Sequence, residues 1–155
     1  MIDPGSLPWD LELKAEAETE AAGRLLAAFL PPGSVLRLHG DLGAGKTTLT
    51  RGVAVALGVD AAAVHSPTFS LVHPYRDRSG RTVLQHVDLY RIDGETGLRE
   101  IGLEEILGGE APAAVEWAER LEGTRFGPLP GDLEALLEVT HSGGRRLQVY
   151  RRLDR

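Results

Sequence analysis

At 155 residues the chain is the size of one compact domain with one core, and with 42% apolar residues and no apolar run near the roughly 20 that a membrane-spanning helix needs, it reads as a soluble protein. The absence of cysteine excludes disulfides, thiolate metal sites and cysteine nucleophiles, and a formal net charge of −6 argues against an extended nucleic-acid surface, whose affinity comes from many lysines and arginines acting together. Residues Met1 to Trp9 carry no positive charge ahead of an apolar stretch, so no secretory signal is read and a cytoplasmic location is expected.

One domain over residues 1–155 is expected, with residues 1–8 a flexible lead-in. Asp10 to Lys14 reads as a short strand. Glu18 to Leu30 carries Leu25, Leu26, Phe29 and Leu30 at the spacing of one helix face, and Pro31-Pro32-Gly33 ends it. Ser34 to His39 is the next strand candidate and leads into Gly40-Asp41-Leu42-Gly43-Ala44-Gly45-Lys46-Thr47. Leu49, Val53 and Leu57 then recur every four residues, which predicts a helix over Thr47 to Leu57 closed by Gly58. Thr68 to Tyr75 and Thr82 to Asp88 read as an antiparallel pair across Arg76 to Gly80, Thr96 to Leu107 as a helix, and Ala113 to Trp117 as a short buried strand. Leu133 to Thr140 and Arg146 to Arg152 form a second hairpin across His141-Ser142-Gly143-Gly144. The expected fold is α/β, a single-domain phosphate-loop architecture with a mixed parallel and antiparallel central sheet flanked by helices.

The glycine-rich segment is the most informative stretch, because each residue type in Gly-x4-Gly-Lys-Thr answers a separate physical demand. Gly40, Gly43 and Gly45 allow backbone angles closed to other residues and let amide hydrogens approach phosphate oxygens. The following helix adds the partial positive charge of its amino end. Lys46 is expected to meet the β and γ phosphates, and Thr47 to place its hydroxyl on magnesium, which prefers hard oxygen ligands. The alternative, a plain glycine turn before a helix, does not account for the lysine: the chain holds fifteen arginines and only Lys14 and Lys46. A compact ammonium fits a phosphate cradle where a planar guanidinium does not.

Magnesium also needs carboxylate support, and two positions compete. Glu116 follows the apolar run Ala113-Ala114-Val115 of a central strand and is the better metal candidate; Asp88 ends a more polar strand and is assigned an activating role, holding the attacking water or a magnesium-bound water. Ser66-Pro67-Thr68-Phe69 lies where many phosphate-loop enzymes place a nucleotide-sensing segment, and Pro67 favours an extended Ser66, which would present Thr68 to the γ phosphate. His39 and His86 are expected at strand ends near the site, in structural roles, since no pair of histidines has metal-ligand spacing. Guanine-specific relatives of such loops read the base with Asn-Lys-x-Asp; this chain has no asparagine, which favours ATP. The arginines at 145, 146, 151, 152 and 155 read either as an RNA-contacting edge or as a solvated strand and tail.

Taken in order, the loop Gly40 to Thr48, Ser66-Pro67-Thr68-Phe69, His86-x-Asp88-Leu89-Tyr90-Arg91 and Val115-Glu116-Trp117 resemble the TsaE family, also called YjeE, from Glu16 to the arginines near Arg145. The resemblance implies a bacterial ATPase using ATP and magnesium in the threonylcarbamoyladenosine modification of tRNA, working with TsaD and TsaB while TsaC supplies the activated adenylate. By position it implies nucleotide contacts from Gly43, Ala44, Gly45, Lys46, Thr47 and Thr48 and from Glu16, magnesium at Thr47 and Glu116, and a catalytic role for Asp88. Trp117 matches the family's tryptophan, although Ala118 departs from the frequent Trp-Pro pattern. The expected mechanism has nucleotide order the segments at Ser66 to Phe69 and Asp88 to Arg91 into a surface that docks on TsaB and TsaD, with slow turnover alone. Two other classes are a small-molecule kinase, for which the hairpin around Arg76 to Arg81 is the one lid candidate, and a nucleotide-gated binding module without turnover.

Overall fold

The computed structural model describes residues 5–67 and 71–153. Strands β1 (Trp9–Leu13), β2 (Val35–His39), β3 (Val72–Arg76), β4 (Thr82–Asp88), β5 (Ala113–Glu116), β6 (Leu133–Val139) and β7 (Arg145–Arg151) form one sheet in the order β1-β7-β6-β2-β5-β4-β3. β2 runs parallel to both β5 and β6, and β4 parallel to β5, while β1–β7, β6–β7 and β3–β4 pair antiparallel. The mixed sheet expected from the two hairpins and the buried Ala113 run is present.

Helices α1 (Glu16–Leu26) and α2 (Lys46–Ala56) cover one face of the sheet, packing on Leu36, Leu38, Ala114, Leu133 and Leu147; α3 (Gly94–Glu100) and α4 (Leu103–Leu107) lie in the other core, with Val35, Val87 and Val115. The central strands are buried on both sides, which is why β5 reads as an unbroken apolar run. β6 alternates after Ala135 because its second face is open there. α1 and α2 meet almost backbone to backbone. A Cβ on Gly23 would lie 2.1 Å from the Leu49 carbonyl oxygen, and one on Gly52 would lie 2.0 Å from that of Glu20. This contact holds the middle of α2 against the middle of α1.

Three boundaries differ from the pattern. α1 stops at Leu26 and its last apolar residues continue as a tighter turn over Ala27–Phe29. The single helix expected over Thr96 to Leu107 is two short ones, broken where Gly102 takes φ 75°. β5 ends at Glu116 because Trp117 adopts a left-handed backbone at φ 59°. In β2, Arg37 is buried among apolar strands: its Nε donates to Asp132 Oδ2 at 2.9 Å and its Nη2 to the Phe126 and Gly127 carbonyls at 3.1 Å each. One guanidinium thereby fixes the crossing from β5 to β6.

Candidate phosphate-binding site

The carboxyl ends of β2, β4 and β5 lie side by side, and the candidate residues gather there. β2 ends at His39, the glycine-rich loop follows, and α2 begins at Lys46. Gly45 is the residue before the helix and sits at φ 110°, a conformation that side chains rarely adopt, so glycine is required to turn the loop into the helix. A Cβ on Gly40 would come within 2.5 Å of the Leu137 carbonyl oxygen, so β6 also dictates glycine at the loop's entry.

Lys46 folds back over its own loop. Its Nζ donates to the Gly40 carbonyl at 2.5 Å and lies 3.7 Å from the centre of the Trp117 ring, a cation–π contact made possible by the left-handed turn at Trp117. Burial pushes the ammonium below the ordinary lysine value, opposed by the charges of Glu116, Glu119, Asp88 and Asp41. Tyr90 closes the arrangement from the other side, its ring centre 5.0 Å from that of Trp117.

Register places Asp88 directly beside Glu116 on the parallel pair β4–β5. Strand alternation then turns Leu84, His86 and Asp88 of β4, and Ala114 and Glu116 of β5, toward the face of α2. Glu116 Oε2 accepts from Thr47 Oγ1 at 3.3 Å and from His86 Nε2 at 2.5 Å; His86 Nδ1 faces the Tyr75 hydroxyl at 2.8 Å, which also reaches the His65 carbonyl at 3.1 Å. Asp88 accepts from the Tyr90 amide at 2.9 Å and from Ser66 Oγ at 3.4 Å. Both carboxylates are buried, at 3% exposure for Glu116 and 2% for Asp88. Leu42, Ser66, Tyr90 and Trp117 line the same cleft, of about 300 Å3, together with Lys46, Thr47, Asp88 and Glu116.

A second cleft of about 310 Å3 opens on the opposite side of the loop. Glu16, Thr19 and Lys14 line it from the β1–α1 junction, Gly43, Gly45 and Thr48 from the loop, and Gly143, Gly144 and Arg145 from the β6–β7 hairpin. Arg145 is the brace of this side: its Nε donates to the Ala44 carbonyl at 2.9 Å, its Nη2 to Gly43 at 3.0 Å, and its Nη1 to Gly143 at 3.0 Å and Gly144 at 3.1 Å. The sequence reading took Arg145 only as part of a basic cluster, and the one signal for more was its place directly after two hairpin glycines.

The candidate residues therefore divide. Lys46, Thr47, Asp88 and Glu116 line one cleft, Glu16 the other, Gly43, Gly45 and Thr48 line both, and Ala44 is buried between them. Thr68, assigned to the γ phosphate, lies outside the described residues, as does Phe69; the flanks of that segment are tied together by Leu71 N donating to the Pro67 carbonyl at 2.6 Å. Arg146 pairs with Asp10 at 2.9 Å, Arg151 donates to the Gly131 carbonyl at 3.0 Å, and Arg152 approaches Glu134 at 3.7 Å. With Arg145 on the loop, these four arginines each meet partners within the protein. Arg155 lies outside the described residues.

The donor set fits a polyphosphate with a small hard cation. Thr47 and Glu116 supply oxygens at the amino end of α2, and among the described residues no cluster of three His, Cys, Asp or Glu offers an all-protein cage. Magnesium is ordinarily held by one or two protein oxygens, phosphate and water.

A glycine-rich loop running from a central parallel strand into a helix, with two carboxylates at the neighbouring strand ends, places this chain among single-domain phosphate-loop α/β proteins. Residues 13–147 match the family described as threonylcarbamoyl adenosine biosynthesis protein TsaE, and the chain belongs to that family. It is 35% identical over 141 residues to the tRNA threonylcarbamoyladenosine biosynthesis protein TsaE of Aquifex aeolicus, covering 90% of this chain and 94% of the relative. The Bacillus subtilis protein of the same name is 47% identical over 105 residues, 68% of this chain and 63% of the relative. A crystal structure of Bacillus subtilis YdiB is similar at a TM-score of 0.70 and 30% identity, covering 97% of this chain and 90% of that one. No helix among the described residues is long and apolar enough to cross a membrane.

Proposed function

We propose that this chain is a magnesium-dependent ATP-binding and hydrolysing protein that acts as a nucleotide switch on a TsaB–TsaD complex in the threonylcarbamoyladenosine modification of tRNA. The observation that carries the reading is the meeting of loop, Thr47–Glu116 contact and Asp88 at three adjacent strand ends. Family membership and the names of the relatives support the tRNA pathway.

In this reading the loop amides, the amino end of α2 and Lys46 hold the phosphates, and Lys46 exchanges the Gly40 carbonyl and the Trp117 face for phosphate oxygens. Thr47 and Glu116 would hold magnesium, which when bound would neutralise phosphate charge. Asp88 orients the attacking water, and the cleft of Glu16, Thr48 and Gly144 receives the nucleoside. Arg145 is turned toward carbonyls on the nucleoside side, so an arginine supplied by a partner is expected for fast turnover, an effect of roughly a thousandfold. ATP hydrolysis measured with and without TsaB and TsaD tests the reading; equal rates contradict the partner-dependent switch. A competition titration tests the nucleotide, and GTP displacing labelled ATP more strongly than ATP itself contradicts that choice.

The kinase alternative loses its lid. Arg76 and Arg81 flank the turn at the start of β4, while Asp88 ends that strand, so the turn lies roughly 20 Å from the loop. Asp77 also closes the turn on itself, accepting from the Ser79 and Arg81 amides.

A further inference from the structure

The Thr47–Glu116 pair does not end at Glu116. Oε2 of that carboxylate is reached by His86 Nε2, His86 Nδ1 faces the Tyr75 hydroxyl, and that hydroxyl reaches the His65 carbonyl. The middle of the path is enclosed, with His86 0% and Tyr75 1% exposed, and it surfaces at His65 and Ser66. Neither side chain has a role in the chemistry assigned so far, yet both are buried where an apolar residue would fill the core, His86 on β4 and Tyr75 on β3. An imidazole facing a carboxylate through Nε2 must donate there, and its ring is then oriented by whatever meets Nδ1. Burial raises the Tyr75 phenol to about 12, so its O–H persists across the working pH range.

The far end of the path is the more informative. The His65 carbonyl and the Ser66 amide belong to one peptide unit, and Ser66 Oγ turns back to Asp88, the register neighbour of Glu116. Arg51 Nη2 holds the preceding carbonyl, that of Val64, at 3.3 Å. The stretch from Val64 to Ser66 is thus anchored to α2 by Arg51, to Glu116 by His86 and Tyr75, and to Asp88 by Ser66 itself. A shift of the Glu116 carboxylate would be passed through the buried His86 ring and Tyr75 hydroxyl, which have no free space to absorb it, to the exposed His65–Ser66 peptide.

We propose that His86 and Tyr75 are positioning residues that set the orientation of Glu116 and couple cation binding at Thr47 and Glu116 to the His65–Ser66 peptide. The proposal rests on the assignment of Glu116 to magnesium. It makes Tyr75, on a strand that contributes nothing else to the cleft, a determinant of magnesium dependence.

The experiment uses Tyr75→Phe, which removes one oxygen and keeps the ring, with the Ser66 amide followed by 15N–1H NMR during magnesium titration of the complex with a non-hydrolysable ATP analogue. In the wild type the Ser66 resonance moves with magnesium. In Tyr75→Phe the analogue still binds, the loop resonances of Gly43 and Gly45 still respond to it, the Ser66 response to magnesium is lost, and half-saturation needs roughly tenfold more magnesium. A Ser66 response and magnesium dependence equal to wild type overturn the coupling alone. A wild-type chain that does not bind the analogue overturns the functional reading and the coupling with it. The wild type supplies an internal check if the variant is poorly folded: a Ser66 shift complete with nucleotide and EDTA, before magnesium is added, also overturns the coupling.

Discussion

The loop at Gly40 to Thr47 separates two clefts of nearly equal size and opposite character. On one side Asp88 and Glu116 stand buried at adjacent strand ends with Lys46 and Thr47; on the other, Glu16 is the one acid lining the cleft and Arg145 grips the loop by its carbonyls. The loop touches both sides: its Gly40 carbonyl accepts from Lys46, and its Gly43 and Ala44 carbonyls accept from Arg145. The buried carboxylates stand on one side of the loop, and on the other the hairpin braces it through Arg145.

Substitutions on each side should separate the two roles. The largest effect is expected from Lys46→Ala, which removes the ammonium at the centre of the acid side: ATP affinity should fall at least roughly a hundredfold in a calorimetric titration, the scale of a lost charge-assisted hydrogen bond. Retained affinity would refute the loop assignment. Asp88→Asn should leave nucleotide affinity near wild type while lowering partner-stimulated hydrolysis by about a hundredfold, as expected for loss of a group that positions water. Arg145→Ala, on the hairpin side, should weaken ATP binding by about tenfold through a loosened loop, with turnover of the saturated protein little changed. Arg145→Lys should recover only part of that loss, because an ammonium cannot span the Ala44 and Gly43 carbonyls as a fork does.

The smallest effect concerns the strand that feeds the loop. Glu134, hydrogen-bonded to His39, holds that imidazole above its ordinary 6.5, burial opposes it, and Glu119 adds to the rise. A group raised on folding contributes stability that is complete below the unfolded value and is lost as pH climbs through the folded one. Thermal unfolding followed from pH 6 to 8 should therefore show a small declining component that His39→Gln removes. An unchanged slope in the variant would place the pH dependence elsewhere.

The two clefts were not equally legible in the sequence. The acid side was readable because each residue carries its chemistry in a short local pattern: a glycine-spaced lysine before a helix, and an acid closing an apolar strand. The expectation of His86 near the site also holds, although its burial against Glu116 does not follow from spacing. The hairpin side depends on contacts across about a hundred residues of chain, Arg145 to Gly43 and Ala44, which no local pattern encodes. The same reason hides Arg37, whose partner Asp132 is distant in sequence and whose strand looked apolar. Among the elements, six of the strands match within a residue or two and the third starts at Val72 rather than Thr68, Leu71 standing before it at φ 64°, whereas the helix over Thr96 to Leu107 fails at Gly102, where a left-handed glycine breaks an otherwise continuous apolar periodicity.

The most direct test of the division is a calorimetric titration of a non-hydrolysable ATP analogue in magnesium and again in EDTA, for wild type, Glu116→Gln and Arg145→Ala. The account predicts that magnesium strengthens binding to the wild type and to Arg145→Ala by the same factor and has no such effect on Glu116→Gln. A magnesium increment that survives in Glu116→Gln and disappears in Arg145→Ala would contradict it.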